Sequence, residues 1–110
     1  MELTNKLPVF DQNNFVGEIN GKKCATIRSF YGQIAKALHF PDYFGKNLDA
    51  LDECLADLSW IEQENAVLII QEAHEFLKKE KPEKREAVLD IFNNITENPG
   101  DKQFQVLFAA

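Results

Sequence analysis

The chain has 110 residues, nine of them Phe, with 45% apolar residues and a formal net charge of −6, which suits one domain with a single core and is too short for two. That apolar share argues against disorder. The negative charge argues against general nucleic-acid binding, which needs Lys and Arg to neutralise phosphates, and it favours a basic protein partner drawn in by long-range attraction.

At the N-terminus, Met1 to Pro8 has no apolar core long enough for a signal peptide, and no later segment is long and apolar enough to span a membrane. A soluble, cytoplasmic protein with no membrane association is expected. Short apolar pieces follow, Leu7 to Phe10 and Phe15-Val16, and Asn20-Gly21 is a turn signal. The first strand is therefore placed near Phe15 to Ile19. Thr26 can cap a helix in which Ile27, Phe30, Tyr31, Ile34 and Leu38 recur at helical spacing, and Phe40-Pro41 ends it.

The next stretch runs Phe40-Pro41-Asp42-Tyr43-Phe44-Gly45-Lys46-Asn47-Leu48-Asp49-Ala50-Leu51-Asp52-Glu53-Cys54-Leu55. Pro41 and Gly45 break regular structure on either side of Tyr43 and Phe44. Asn47 stands where a helix N-cap would accept a hydrogen bond from an orphan backbone N–H, so the second helix is expected to start at Leu48. At about 100° of rotation per residue, Leu48, Leu51, Leu55 and Leu58 share one side, and Asp49, Asp52, Glu53 and Ala56 share the other. Asp49 complements the positive end of the helix dipole, yet Asp49 and Glu53 form a like-charged pair one turn apart. By pattern alone this acidic face is either a solvated helix surface or a docking surface for something basic.

Beyond it, Ser59 to Asn65 reads as a connection, and the continuous β-branched run Ala66 to Ile70 suits a strand buried on both faces. Lys78-Lys79-Glu80-Lys81 is read as a solvated connection, with a basic binding patch as the alternative. Pro82 suits the first turn of a helix carrying Val88, Leu89, Ile91, Phe92 and Ile95, which Asn98-Pro99-Gly100 stops. Phe104 to Phe108 forms the last strand. Strands separated by helices imply crossovers, and hence a small α/β fold with a parallel sheet and helices packed on it.

Enzymatic chemistry finds little support. His39 and His74 belong to no metal-ligand spacing, there is no Cys-x-x-Cys pair, no Gly-x-Ser-x-Gly and no Gly-rich phosphate loop. Asp49 and Glu53 could act as a carboxylate pair or hold a hard cation, but nothing in the sequence supplies an apolar pocket to push their proton affinities apart. No catalytic residue, metal site or cofactor is assigned. Cys24 and Cys54 are too few for a secreted disulfide framework, so a reducing compartment is the default, with their mutual pairing left open. Cys54, between the two helix faces, is read as a small buried hydrophobe. Trp60 is either core or an interface anchor.

Phe40 to Leu55, in the context of a short α/β chain, resembles the barstar family of ribonuclease inhibitors, whose members carry a Pro-acid-Tyr-aromatic-Gly-x-Asn-aliphatic-Asp-Ala-Leu motif followed by an acidic residue. The resemblance extends more weakly across the rest of the chain in element order. It implies a three-stranded parallel sheet with helices packed on it, residues 1–14 as an N-terminal extension and 15–110 as the single inhibitor domain. It also implies a partner: a basic ribonuclease, or a related toxin, whose active-site cleft the protein plugs while serving as a bacterial immunity protein. Carried across by position, the partner-binding residues are Tyr43, Gly45, Asn47, Leu48, Asp49, Asp52 and Glu53, with Asp42 and Asn94 as further candidates and Trp60 added as an aromatic beside the acidic helix. Asp49 and Glu53 match the family's contact aspartates, Glu53 with one more methylene. Asp52 stands where the type member has a contact tryptophan, and Asn94 approximately where it has a glutamate. A regulatory module that binds a basic cytoplasmic protein without inhibiting it is the alternative role.

Overall fold

The computed structural model describes residues 3–4 and 6–110; Met1, Glu2 and Asn5 of the N-terminal stretch lie outside the described residues. Strand β1 (Leu3–Thr4) is followed by β2 (Asn14–Asn20), helix α1 (Ile27–Ala37), α2 (Leu48–Asp57), β3 (Asn65–Gln71), α3 (Pro82–Glu97) and β4 (Gln103–Ala109), with short 3-10 turns at Gly21–Lys23 and Ala73–Glu75. The sheet order is β1-β4-β3-β2 and all three pairings are parallel. Parallel neighbours need crossovers, and here α1 with α2, then α3, supply them.

The expectation of three strands is corrected to four. Leu3 and Thr4 pair with Phe108 and Ala109, and the Ala110 N–H donates to the Thr4 carbonyl at 3.1 Å. Two residues are too few to show a strand's alternation, so the sequence pattern carries no sign of them. Their pairing covers the end of an edge that would otherwise leave backbone groups of β4 unpaired.

Ala66, Leu68 and Ile70 of β3 join the main core beneath the helices. Val67 and Ile69, which alternate to the opposite face, are also buried, at 0% and 3% exposure. Strand β3 is thus covered on both sides, as its unbroken apolar run required. Gly17 of β2 lies against the end of α1, where a Cβ would meet the Ala37 carbonyl oxygen at 2.6 Å. The missing side chain lets that helix end rest directly on the strand.

Thr26 caps α1 by accepting from the Ser29 N–H, and the Ser29 hydroxyl accepts in turn from Thr26. A second cap comes from the Lys-rich connection. The Ile27 N–H donates to the Glu80 carboxylate at 2.8 Å, while Leu77 and Lys79 donate from their backbones to the carbonyls of Cys24 and Ala25 at 2.7 and 2.9 Å. The connection read as simply solvated is therefore a hydrogen-bonded strap, with Lys78, Lys79 and Lys81 exposed on its outer side.

Candidate functional site

The loop from His39 to Asn47 and the first two turns of α2 form one surface. Its shape follows from an aromatic anchor below. Phe40 and Phe44 are buried, with ring centroids 4.9 Å apart in an edge-to-face contact. Phe44 meets Tyr31 of α1 at 5.9 Å, and Phe40 meets Trp60 at 5.8 Å. A turn closed by the Phe44 N–H donating to the Pro41 carbonyl at 3.0 Å sends the neighbouring Tyr43 outward. Tyr43 is 74% exposed, the only aromatic among the strongly exposed large apolar residues described.

Helix α2 starts where Asn47 stands. The Asn47 side-chain oxygen accepts from the Ala50 N–H at 2.8 Å, with extended backbone at Asn47. Leu51 and Leu55, together with Leu58 just past the helix end, are buried, whereas Leu48 is half-buried. Asp49, Asp52 and Glu53 are exposed on the other side, with Asp42 exposed in the loop. In its ten residues α2 carries Asp49, Asp52, Glu53 and Asp57 and no cation. None of these four carboxylates is in an ion pair among the described residues.

An open concavity of about 580 Å³ lies along this surface, lined by Tyr43, Gly45, Asn47, Leu48, Asp49, Ala50 and Glu53. Six of the seven partner-binding candidates, all but Asp52, thus border one hollow. Ala50 is part of the lining, and its side chain, ending at Cβ, takes up little of the space. Gly45 has its place for a different reason from turn geometry: a Cβ there would come within 3.2 Å of the Asn47 amide that supports the cap. The left-handed backbone of this loop falls instead on Lys46, with φ 51°, and on His39, with φ 55°.

The other candidates stand apart from the hollow. The Trp60 indole N–H donates to the Leu38 carbonyl at 2.9 Å, which commits its polar edge to holding the end of α1. Asn94 is exposed on α3, where its side-chain oxygen accepts from Asn98 at 3.3 Å. Cys24 and Cys54 are free and buried. Burial pushes the Cys24 thiol up to about 11, and that of Cys54 is also raised, by burial first and then by the charges of Asp57 and Glu53.

A hollow of about 420 Å³ lies at the N-terminal ends of the strands, lined by Asn14, Asn65, Ala66, Thr96, Gln103, Phe104 and Gln105. No side chain in it can exchange a proton near neutral pH. Among the described residues no group of three or more His, Cys, Asp or Glu could hold a metal ion, and no helix is long and apolar enough to cross a membrane. Sequence reasoning missed Ala50, which lines the hollow, and Asp57, which continues the acidic face past Glu53 by one turn. A search for carboxylates at i+4 from Glu53 would have found the latter.

Comparison with known proteins follows the same lines. The family model described as Barstar (barnase inhibitor) matches residues 14–109. The chain is also similar to a Bacillus subtilis (strain 168) protein named "Putative ribonuclease inhibitor YrdF", with 30% identity over 56% of this chain and 88% of that protein.

Proposed function

The chain belongs to the barstar family, and from that membership we propose that it is a proteinaceous inhibitor that blocks the basic active-site cleft of a ribonuclease. The observation that carries this reading is the outward face of α2: four unpaired carboxylates in ten residues, bordered by an exposed tyrosine. A ribonuclease cleft is shaped and charged to hold phosphates. Carboxylates fixed on a helix offer its Arg and Lys side chains equivalent acceptors, so the helix takes the place of RNA and shuts it out. In this role the protein has no catalytic group of its own. Residues Tyr43, Gly45, Asn47, Leu48, Asp49, Asp52 and Glu53 make or shape the contact.

The support beneath the surface fits the same role. Tyr43 is next to the buried Phe44 of the aromatic cluster, and Asn47 caps the helix start, so the backbone that carries the contact is held in place before binding. A bacterial cell would keep such an inhibitor in its cytoplasm as immunity against its own toxin. Asp52, in the place of an aromatic contact, favours a partner with an additional cation opposite that position, either a distinct ribonuclease or another basic toxin using the same kind of cleft.

The test is purification of the protein from its native host together with whatever it retains, followed by assay of the retained protein on RNA. A basic ribonuclease whose cleavage of RNA is suppressed by stoichiometric inhibitor supports the reading. Retention of a basic protein without nuclease or toxin activity would favour the regulatory alternative.

A further inference from the structure

A second, smaller hollow shares Tyr43, Ala50 and Glu53 with the first. Its volume is about 210 Å³ and its lining is Tyr43, Phe44, Ala50, Glu53, Cys54 and Asp57. Ala50, Glu53, Cys54 and Asp57 are at i, i+3, i+4 and i+7, one stripe along α2. The floor is apolar: Phe44 is 8% exposed and Cys54 5%. Cys54 has no side-chain hydrogen bond among the described residues, although it borders this space. Two carboxylates rim it, one turn apart.

Asp57 is costly where it stands. It is the last residue of α2, at the negative end of the helix dipole, with no basic residue in the last turn. It also repels Glu53 one turn before it. Both carboxylates act on the same thiol, since Asp57 and then Glu53 follow burial as causes of the raised Cys54 value. The volume is below that of pockets that hold small molecules, about 300–1,000 Å³, and is on the scale of a single side chain.

We infer that this slot receives one arginine side chain of the basic partner, its guanidinium bridging Glu53 and Asp57, its stem on Phe44, Ala50 and Cys54, and Tyr43 along its side. The inference rests on the inhibitor reading for the existence of a basic partner. Arginine fits better than lysine because its planar fork meets two carboxylates at once, stacks beside an aromatic ring and is more weakly hydrated. Its three-carbon stem covers apolar surface while the charge meets the rim. Asp57 is thereby a specificity-determining residue, setting how deep into the partner's basic cleft α2 must sit.

The test needs no ribonuclease. The isolated protein is titrated with Nα-acetyl-arginine amide, and in parallel with the lysine and citrulline equivalents, while backbone amide signals are followed by NMR. Saturable shifts at Tyr43, Ala50, Glu53, Cys54 and Asp57 are expected with arginine, weaker with lysine and absent with neutral citrulline. Asp57→Asn, with its remaining spectrum unchanged, should weaken arginine binding about fivefold or more. Shifts scattered over all acidic residues, equal responses to lysine and arginine, or an unaffected Asp57→Asn would overturn the slot. A localised arginine response in a protein that inhibits no ribonuclease would keep the slot and discard the inhibitor reading. Tight inhibition that is indifferent to Asp57→Asn would do the reverse.

Discussion

Tyr43 and Phe44 are adjacent aromatics with opposite fates: Phe44 anchors the loop in the core and Tyr43 is left in water, and the same division between buried support and exposed side chains runs along α2. Glu53 and Asp49 are exposed and bear no part of the core. Replacing either with Ala should therefore leave the thermal midpoint within about 4 °C, Asp49 losing the more because it sits in the first turn of α2, while weakening ribonuclease binding about tenfold or more by removing a charge-assisted contact. Calorimetry and inhibition titration on the same samples separate the two effects. Glu80 is the converse, a carboxylate with a structural task. The Ile27 N–H it accepts lowers its proton affinity below the ordinary value of 4.5, with the Lys81 N–H and the Lys84 and Lys81 charges acting the same way against burial. A carboxylate held low stabilises the fold above its unfolded value and loses that contribution as pH falls through its folded value. Urea midpoints of wild type and Glu80→Gln should thus differ at pH 7, wild type being the more stable, and converge as pH falls below the ordinary carboxylate value. A gap that stays constant with pH would remove the charge from the explanation.

At the scale of elements, the sequence was legible wherever a periodic pattern met a cap or a stop. Asn47 and Thr26 mark the starts of α2 and α1, Pro82 opens α3, and the uninterrupted run at β3 marks a strand covered on both sides. What escaped was set by partners distant in sequence. Strand β1 exists because the edge of β4 is available to it, and Glu80 caps α1 from 53 residues away. The left-handed positions are equally hidden. His39, Lys46, Leu58, Glu72 and Leu77 adopt them, and no glycine among the described residues does, so a reading that looks to glycine for such turns finds the wrong residues. Two of the five, His39 and Leu58, stand at the two ends of the loop and helix of the proposed contact, and Lys46 lies just before the helix cap. Such conformations cost on the order of 1–3 kcal/mol for a non-glycine residue and persist where the surroundings fix them. The acidic helix itself should answer to its cap and its leucines. Asn47→Ala is expected to cost about 1 kcal/mol by orphaning the Ala50 N–H, and Leu55→Ala about 2–5 kcal/mol by emptying a site in the core. Chemical denaturation measures both, and a Leu55→Ala loss smaller than that of Asn47→Ala would contradict the packing of α2.

For the whole molecule, charge and shape act together. A net charge of −6 would draw the proposed basic partner from a distance, and α2 carries four of the carboxylates responsible. On the proposed reading, association should slow as salt rises, while dissociation, which would be governed by close contacts at Tyr43, Asp49 and Glu53, should respond more to substitution than to salt. The resemblance in the motif was legible because it lies in consecutive residues. The two hollows that share Tyr43, Ala50 and Glu53 were not, because they depend on how the Phe44 anchor sets the loop against the helix.

The central claim is that the α2 face closes a ribonuclease cleft, and the most direct measurement is a titration of RNA cleavage by the partner ribonuclease with wild-type protein and with Glu53→Ala. Stoichiometric loss of cleavage with wild type, and the same loss only at about tenfold or higher concentration with Glu53→Ala, is the predicted result. Equal inhibition by both proteins, or none by wild type, would contradict it.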